Sequence, residues 1–259
     1  MIAANECVAT HIYFMNLPFI YRIHEAPKEE KLRSFLSYMG NLGYQYNADL
    51  KDNRPKTIQG ILDFLKDKPE GKILSSILLR SMQKAIYSTE NLGHYGLASD
   101  CYTHFTSPIR RYPDTTVHRL LRTYHINGNI DMSVVRKWEE KLVYIAEHSS
   151  AKERASVDCE REVEDMKMAE YMEGHIGEKF VGMISSITNF GMFVELDNLI
   201  EGLVPLRDMP DFFHFNEETM TLVGEKSGVK YTLGERVQVK VVRASKEDKT
   251  IDFEIVKKV

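Results

Sequence analysis

The hydrophobic period of this chain changes once, near residue 174, and that change limits its fold more than any other feature. Before it, apolar residues recur mostly at helical spacing: Ile2, Val8, Ile12 and Phe14, then Leu32, Phe35, Leu36 and Met39 ahead of Gly40. After Gly177 the period is two. The runs "FVGMISSITNFGMFVEL", "IEGLVPL", "RVQVKVVRAS" and "TIDFEIV" alternate, separated by turns rich in Gly, Asn, Asp and Lys, as in a small five-stranded barrel. The expected class is α+β: a mainly helical part over residues 1–174, then a β-barrel over residues 175–259, joined between Glu173 and Gly177.

Inside the helical part, "GKILSSILLRSMQKAIYS" reads as a helix rich in Leu and Ile, followed by the glycine-punctuated "NLGHYGLASDCY". Asp114, after Pro113, reads as the N-cap of a helix reaching Tyr124. In the last helix Ser150 and Glu153 have capping-box spacing. Ala155, Cys159, Val163 and Met166 form an apolar stripe there, and Gly174 is the stop.

The opening "MIAANECVATHIYFMNL" has no basic n-region and carries Asn5, Glu6 and His11, so neither a signal peptide nor a membrane span fits. Cys7, Cys101 and Cys159 are odd in number and far apart, which argues for reduced thiols in a cytoplasmic protein. With a net charge of -4, any binding to nucleic acid must come from local clusters.

One such cluster is "THFTSPIRRYPDTTVHRLL", from Thr103 to Leu121. Thr106 and Ser107 precede Pro108, so "TSPIRRY" reads as a short helical turn whose N–H groups and hydroxyls face outward as anion ligands. Arg110 and Arg111 are adjacent and point apart: one can fork onto a phosphate while the other braces a carboxylate or second phosphate. His104, His118, Arg119 and Arg122 extend the track. Any one of these arginines, taken alone, reads equally as half of a solvated salt bridge.

In the barrel, Phe180, Phe190 and Phe193 lie around the first hairpin, where Gly182 and Gly191 permit close backbone approach; the rings read as a base-stacking face or as barrel core. This hairpin, with "EGLVPL", resembles the S-one (S1) RNA-binding module, an OB-fold. Pro205 stands where that family usually has a histidine.

"GHYGLASDCYTHFTSPIRRYPDTTVHRLL" closely resembles a signature of the ribonuclease II and ribonuclease R (RNB) family, processive magnesium-dependent exoribonucleases that degrade RNA from 3' to 5' into nucleoside 5'-monophosphates. "MIAANECVA" and "SMQKAIYS" are similar to further segments of the same catalytic domain, in order, and the ending "YTLGERVQVKVVRASKEDKTIDFEIV" looks more like ribonuclease R. The resemblance implies single-stranded RNA as partner, no membrane association and a monomer. It implies that Arg110 grips the phosphate beside the cleaved bond as the catalytic residue. His104, Thr106, Ser107, Arg111, His118 and Arg119 become pocket or channel residues, Tyr95 a stacking ring, and Phe180, Phe190 and Phe193 RNA contacts. In the acidic run "EREVEDMKMAE", which reads as a solvated face, Glu160 alone is assigned to the RNA channel. Tyr112 and Leu97 are assigned to packing, and His94, set between glycines, reads either as a site residue or, by preference, as structure.

The family's cluster of aspartates that bind Mg2+ lies upstream of these segments and is not in this sequence. The expectation is therefore the C-terminal part of a larger enzyme, inactive alone, with its Mg2+ ligands elsewhere. A non-catalytic RNA-binding module is the alternative; a phosphate-binding regulator unrelated to RNA would leave the barrel hairpin unexplained.

Overall fold

A computed structural model describes residues 1–46, 55–68, 71–216 and 219–259. In chain order the helical part holds α1 (Ile2–Phe14), β1 (Tyr21–Ile23), α2 (Glu29–Asn41), α3 (Pro55–Leu65), α4 (Gly71–Ser81), β2 (Ile86–Ser88), α5 (Tyr112–Leu121) and α6 (Met132–Glu173). The packing divides into two compact units. The first comprises the described residues of Met1–Lys31, Asp49–Gly60 and Arg80–Val157, and the second those of Leu32–Ala48, Ile61–Leu79 and Asp158–Val259.

In the first unit, α1 buries Asn5, Ala9 and Ile12, one stripe at spacings of four and three. Phe19, Ile20, Val117, Leu120, Tyr124 and Leu142 complete the core. Strands β1 and β2 pair antiparallel, with Arg22 opposite Tyr87. The end of "GKILSSILLRSMQKAIYS" is thus a strand, not helix: α4 ends at Ser81 and Ile86–Ser88 is extended.

The last helix departs most from expectation. It begins at Met132 and runs 42 residues, so Ser150 and Glu153 are interior and form no capping box. Buried Ser150 donates its hydroxyl back to the Ala146 carbonyl at 2.8 Å and accepts from the Tyr87 amide at 2.9 Å. The expected stripe is also displaced. Ala155, Cys159 and Val163 are exposed, and α6 buries Leu142, Ala146 and Ser150 near one end and Ala169 and Met172 near the other. Gly174 follows its last residue as expected.

In the second unit, α2 buries Leu32, Phe35 and Met39 at helical spacing. The alternating runs form β3 (Lys179–Ile187), β4 (Gly191–Leu196), β5 (Glu201–Pro205), β9 (Arg236–Ser245) and β10 (Thr250–Lys258), closed in the order β10–β5–β4–β3–β9. Among these five strands β5 and β10 pair in parallel and the other neighbours antiparallel. This is the five-stranded OB-fold barrel, and the chain is α+β. Its bore is filled by Ile184, Met192, Val194, Val204, Val237, Val239, Val241 and Phe253. A Cβ at Gly202 would lie 2.4 Å from the Phe253 ring, so the ring fills the space that a side chain there would need.

Between β5 and β9 sits a small sheet the alternation did not reveal: β6 (Phe213–Asn216), β7 (Thr221–Gly224) and β8 (Lys230–Tyr231). Asp211 pins its turn by accepting from the Ser227 amide at 2.8 Å, the Ser227 hydroxyl at 2.7 Å and the Lys226 amide at 3.1 Å. These bonds, the Ser227 hydroxyl first, hold its carboxyl down at about 2.

Candidate functional site

The stretch from Tyr102 to Arg122 rests on a polar network. Ser107 starts a turn in which its carbonyl accepts from the amides of Arg110 (3.3 Å) and Arg111 (3.1 Å). The helix proper begins at Tyr112, with Arg111 in extended conformation at its N-cap. Asp114 is therefore not the N-cap. It lies inside the first turn, fully buried, and its Oδ1 accepts from the Ser107 amide and from Arg111 Nη2, each at 2.8 Å. The turn is closed by one carboxylate gripping both its ends.

That geometry separates the two arginines. Arg111 is the brace, its side chain 21% exposed against Asp114. Arg110 is exposed, and its guanidinium has no hydrogen-bond or ion-pair partner among the described residues. Thr106 and Ser107 are partly exposed, but the Ser107 amide already serves Asp114, so the turn does not offer all of its N–H groups to an anion.

Beneath the turn, Tyr87 and His104 share a hydrogen bond at 2.9 Å (Oη to Nδ1). Arg22 lies over the Tyr87 ring at 4.7 Å and forks onto Glu153 at 2.5 and 2.9 Å. Burial, then the Arg111 and Arg22 guanidinium groups, push the His104 imidazole down to about 3, and burial pushes the Tyr87 phenol up to about 12. Both are neutral near pH 7. Asn5 fastens the segment to α1, donating to the Tyr102 hydroxyl at 2.9 Å and accepting from the Phe105 amide at 3.1 Å. Sequence reasoning missed Arg22, Tyr87, Glu153 and Asn5; they come from separate elements, and Arg22 and Glu153 are 131 residues apart.

The other sites of the stretch are dispersed along it. His118 is exposed, bonded to the Phe105 carbonyl at 3.0 Å and stacked on the Phe105 ring at 4.4 Å. Arg119 is exposed and reaches the Tyr112 hydroxyl at 3.4 Å. Tyr112 and Leu97 were expected to pack, yet they are 52% and 38% exposed: the buried stripe of α5 is Pro113, Asp114, Thr116, Val117 and Leu120, and Leu97 lies on a short 3-10 turn that buries none of its residues. Tyr95 is partly exposed on a single 3-10 turn, Tyr95–Leu97, with its ring 6.2 Å from that of His24. His94 packs edge-on against His24 and Tyr102, and burial lowers it to about 4. Glu160 is exposed on α6.

On the barrel the three phenylalanines do not share a face. Strand alternation puts Phe193 outward, opposite Ser186 and Leu203, and its ring meets that of 55%-exposed Phe190 edge-on at 6.0 Å. Phe180 has the parity of buried Gly182 and Ile184 and lies 6.1 Å from the His175 ring. Phe193 also lines a cavity of about 370 Å3 with Met168, Leu203, Glu201 and Lys249.

Among the described residues no group of three or more His, Cys, Asp or Glu side chains is placed to hold a metal ion, so these residues do not fit a magnesium site. Nor, among them, is any helix long and apolar enough to cross a membrane.

Residues 1–127 match the RNB domain model, which takes in the whole Ser107–Arg111 turn, and residues 174–256 match the S1 RNA binding domain. Over 98% of its length the chain is 49% identical to Ribonuclease R 1 of Lactococcus lactis, covering 31% of that protein. The chain carries RNB and S1 RNA binding domains and is similar to ribonuclease R over nearly its whole length. It is 41% identical to the Thermotoga maritima ribonuclease R over 99% of its length, covering 36% of that protein. A solved structure, the apo form of Mycoplasma genitalium RNase R, superposes with a TM-score of 0.92 at 33% identity, over 99% of this chain and 40% of that one. The same enzyme has been solved with ribose methylated single-stranded RNA. The chain spans about a third of the length of these curated ribonuclease R relatives.

Proposed function

We propose that this chain supplies the C-terminal part of the RNB catalytic domain (1–174) and the S1 domain (175–259) of a cytoplasmic, monomeric 3'-to-5' exoribonuclease that hydrolyses single-stranded RNA to nucleoside 5'-monophosphates. The observation that carries this reading is Arg110: an unpartnered, exposed guanidinium on a turn whose two ends are clamped by buried Asp114, within the RNB match. A cation so held is set to bind a phosphate oxygen as charge develops on it, with no reorganisation at the moment of reaction. His104, Thr106, Ser107, Tyr95, His118, Arg119 and Glu160 are assigned to the RNA path, with Phe190, Phe193 and Phe180 as contacts of the barrel. Arg111 takes a positioning role, because its guanidinium is committed to Asp114.

Phosphodiester hydrolysis of this kind needs Mg2+ held by converging carboxylates to activate water and stabilise the leaving oxygen. Those carboxylates are assigned to parts of the enzyme outside these 259 residues, so the chain alone binds RNA without cutting it. The test is to incubate it with labelled single-stranded RNA and Mg2+ and follow nucleoside monophosphates beside retention of the RNA. Binding without release is expected. EDTA-sensitive release would overturn the assignment of the metal ligands, and absence of binding would overturn the RNA reading.

A further inference from the structure

Two exposed aromatics of the first unit share one groove. Tyr112 at the start of α5 and Tyr144 on α6, 52% and 66% exposed, line an open groove of about 460 Å3 with Glu140, Lys141, Ile145 and His148. Tyr144 and His148, one helical turn apart, lie ring over ring, centroids 5.4 Å apart and planes 21° from parallel. On α5, Arg119 lies over the Tyr112 ring at 5.7 Å while bonding its hydroxyl.

Helix periodicity builds both walls. Lys137, Lys141, Tyr144 and His148 follow one another at four, three and four residues, all exposed, as one stripe of α6. Tyr112 and Arg119 are seven apart and share a stripe of α5. Each wall interleaves cations with flat rings, the combination that holds single-stranded nucleic acid: stacking for the bases and positive charge for the backbone. A groove that accepts a protein helix needs a row of apolar anchors. Here Ile145 is the one aliphatic lining residue; the others end in hydroxyl, ammonium, carboxylate or imidazole groups.

We propose that this groove is a nucleobase-binding site for single-stranded RNA. A base stacks on the Tyr144–His148 platform or on Tyr112, Arg119 and Lys141 take the adjoining phosphates, and Glu140 accepts from the edge of the base. The site rests on the RNA reading above and adds to it a contact separate from both Arg110 and the Phe190–Phe193 pair. It gives Tyr112, which the sequence assigned to packing, a ligand role.

Single-stranded RNA carrying 5-iodouridine, photo-cross-linked to the whole chain and mapped by mass spectrometry, is expected to attach at Tyr112, Tyr144 or His148. This arm uses the unsubstituted protein and does not depend on a variant folding. Tyr112→Ala with Tyr144→Ala should weaken binding of a labelled oligouridylate at least about fivefold, the loss of one stack, while Tyr112→Phe with Tyr144→Phe should bind as the parent does. Cross-links confined to the barrel, with affinity unchanged in the alanine pair, overturn the groove and leave the RNA reading standing. A parent chain that binds no RNA overturns both. A dimer in sedimentation that the alanine pair dissolves makes the groove a self-contact and overturns the nucleobase site.

Discussion

Arg110 stands on a turn fixed from below by buried charge, whereas Phe190 and Phe193 stand on a barrel whose bore is apolar. The two supports suit what they carry. A guanidinium must be aimed, and directional bonds from a single carboxylate aim it. A stacking ring needs only a flat place to stand, and non-directional packing of Val, Ile and Met behind a strand provides that. The cost differs as well. Asp114 Oδ2 and Arg111 Nε are buried with no partner, so the turn carries unpaired polar atoms, while the strand that carries Phe193 buries the apolar side chains of Met192, Val194 and Leu196.

The largest test of this contrast is Asp114→Ala. It strands the Arg111 guanidinium and frees the Ser107 amide, and should destabilise the first unit by about 3–5 kcal/mol, read as a lower denaturant midpoint. A loss below about 1 kcal/mol would mean that the turn holds itself. Next comes Phe190→Ala with Phe193→Ala. RNA affinity should fall by about 1–3 kcal/mol per lost stack while the barrel stays folded, as circular dichroism would report. An unfolded barrel would put these rings in the core instead.

Acid should separate the two regions more gently. Burial lowers His104 to about 3 and His94 to about 4, against an ordinary value of about 6.5 in the unfolded chain. Both bind protons more readily when unfolded. Their contribution is thus present above about pH 6.5 and is lost as pH falls toward 4 and 3. Denaturation followed by a probe in each unit should show the first weakening between pH 6 and 4, and His104→Gln should flatten that slope. The smallest effect expected is on stability in Arg110→Ala, within about 0.5 kcal/mol, because the side chain is exposed. The same change should reduce the salt slope of RNA binding by about one unit. A large loss of stability would make Arg110 scaffolding.

The barrel was legible because one face of each long strand is buried, which writes period two into the sequence. Strands of three or four residues, such as β1, β2 and β6, are too short to write any period. The start of α6 was misplaced because Ser150 and Glu153 mimic a capping box; the Trp138, Leu142, Ile145 and Ala146 stripe before them carried the true signal. The motif around Arg110 was visible as chemistry. The division of labour between Arg110 and Arg111 was not, because it depends on where Asp114 lands after one turn of helix and on Tyr87 and Arg22 from a two-stranded sheet whose strands are far apart in sequence.

On the bore side the Phe253 ring of β10 covers Gly202 of the neighbouring strand β5, while Leu203 of β5 pairs with Phe193 of β4 on the outside. Substitution is therefore unequally free on the two sides of one β-strand. Outward positions can exchange rings for other side chains and change the ligand without moving the backbone. Position 202 accepts no side chain unless Phe253 shrinks in concert. Descendants of this barrel can drift quickly in what they hold while the diameter of the barrel stays locked by a pair of residues that must change together.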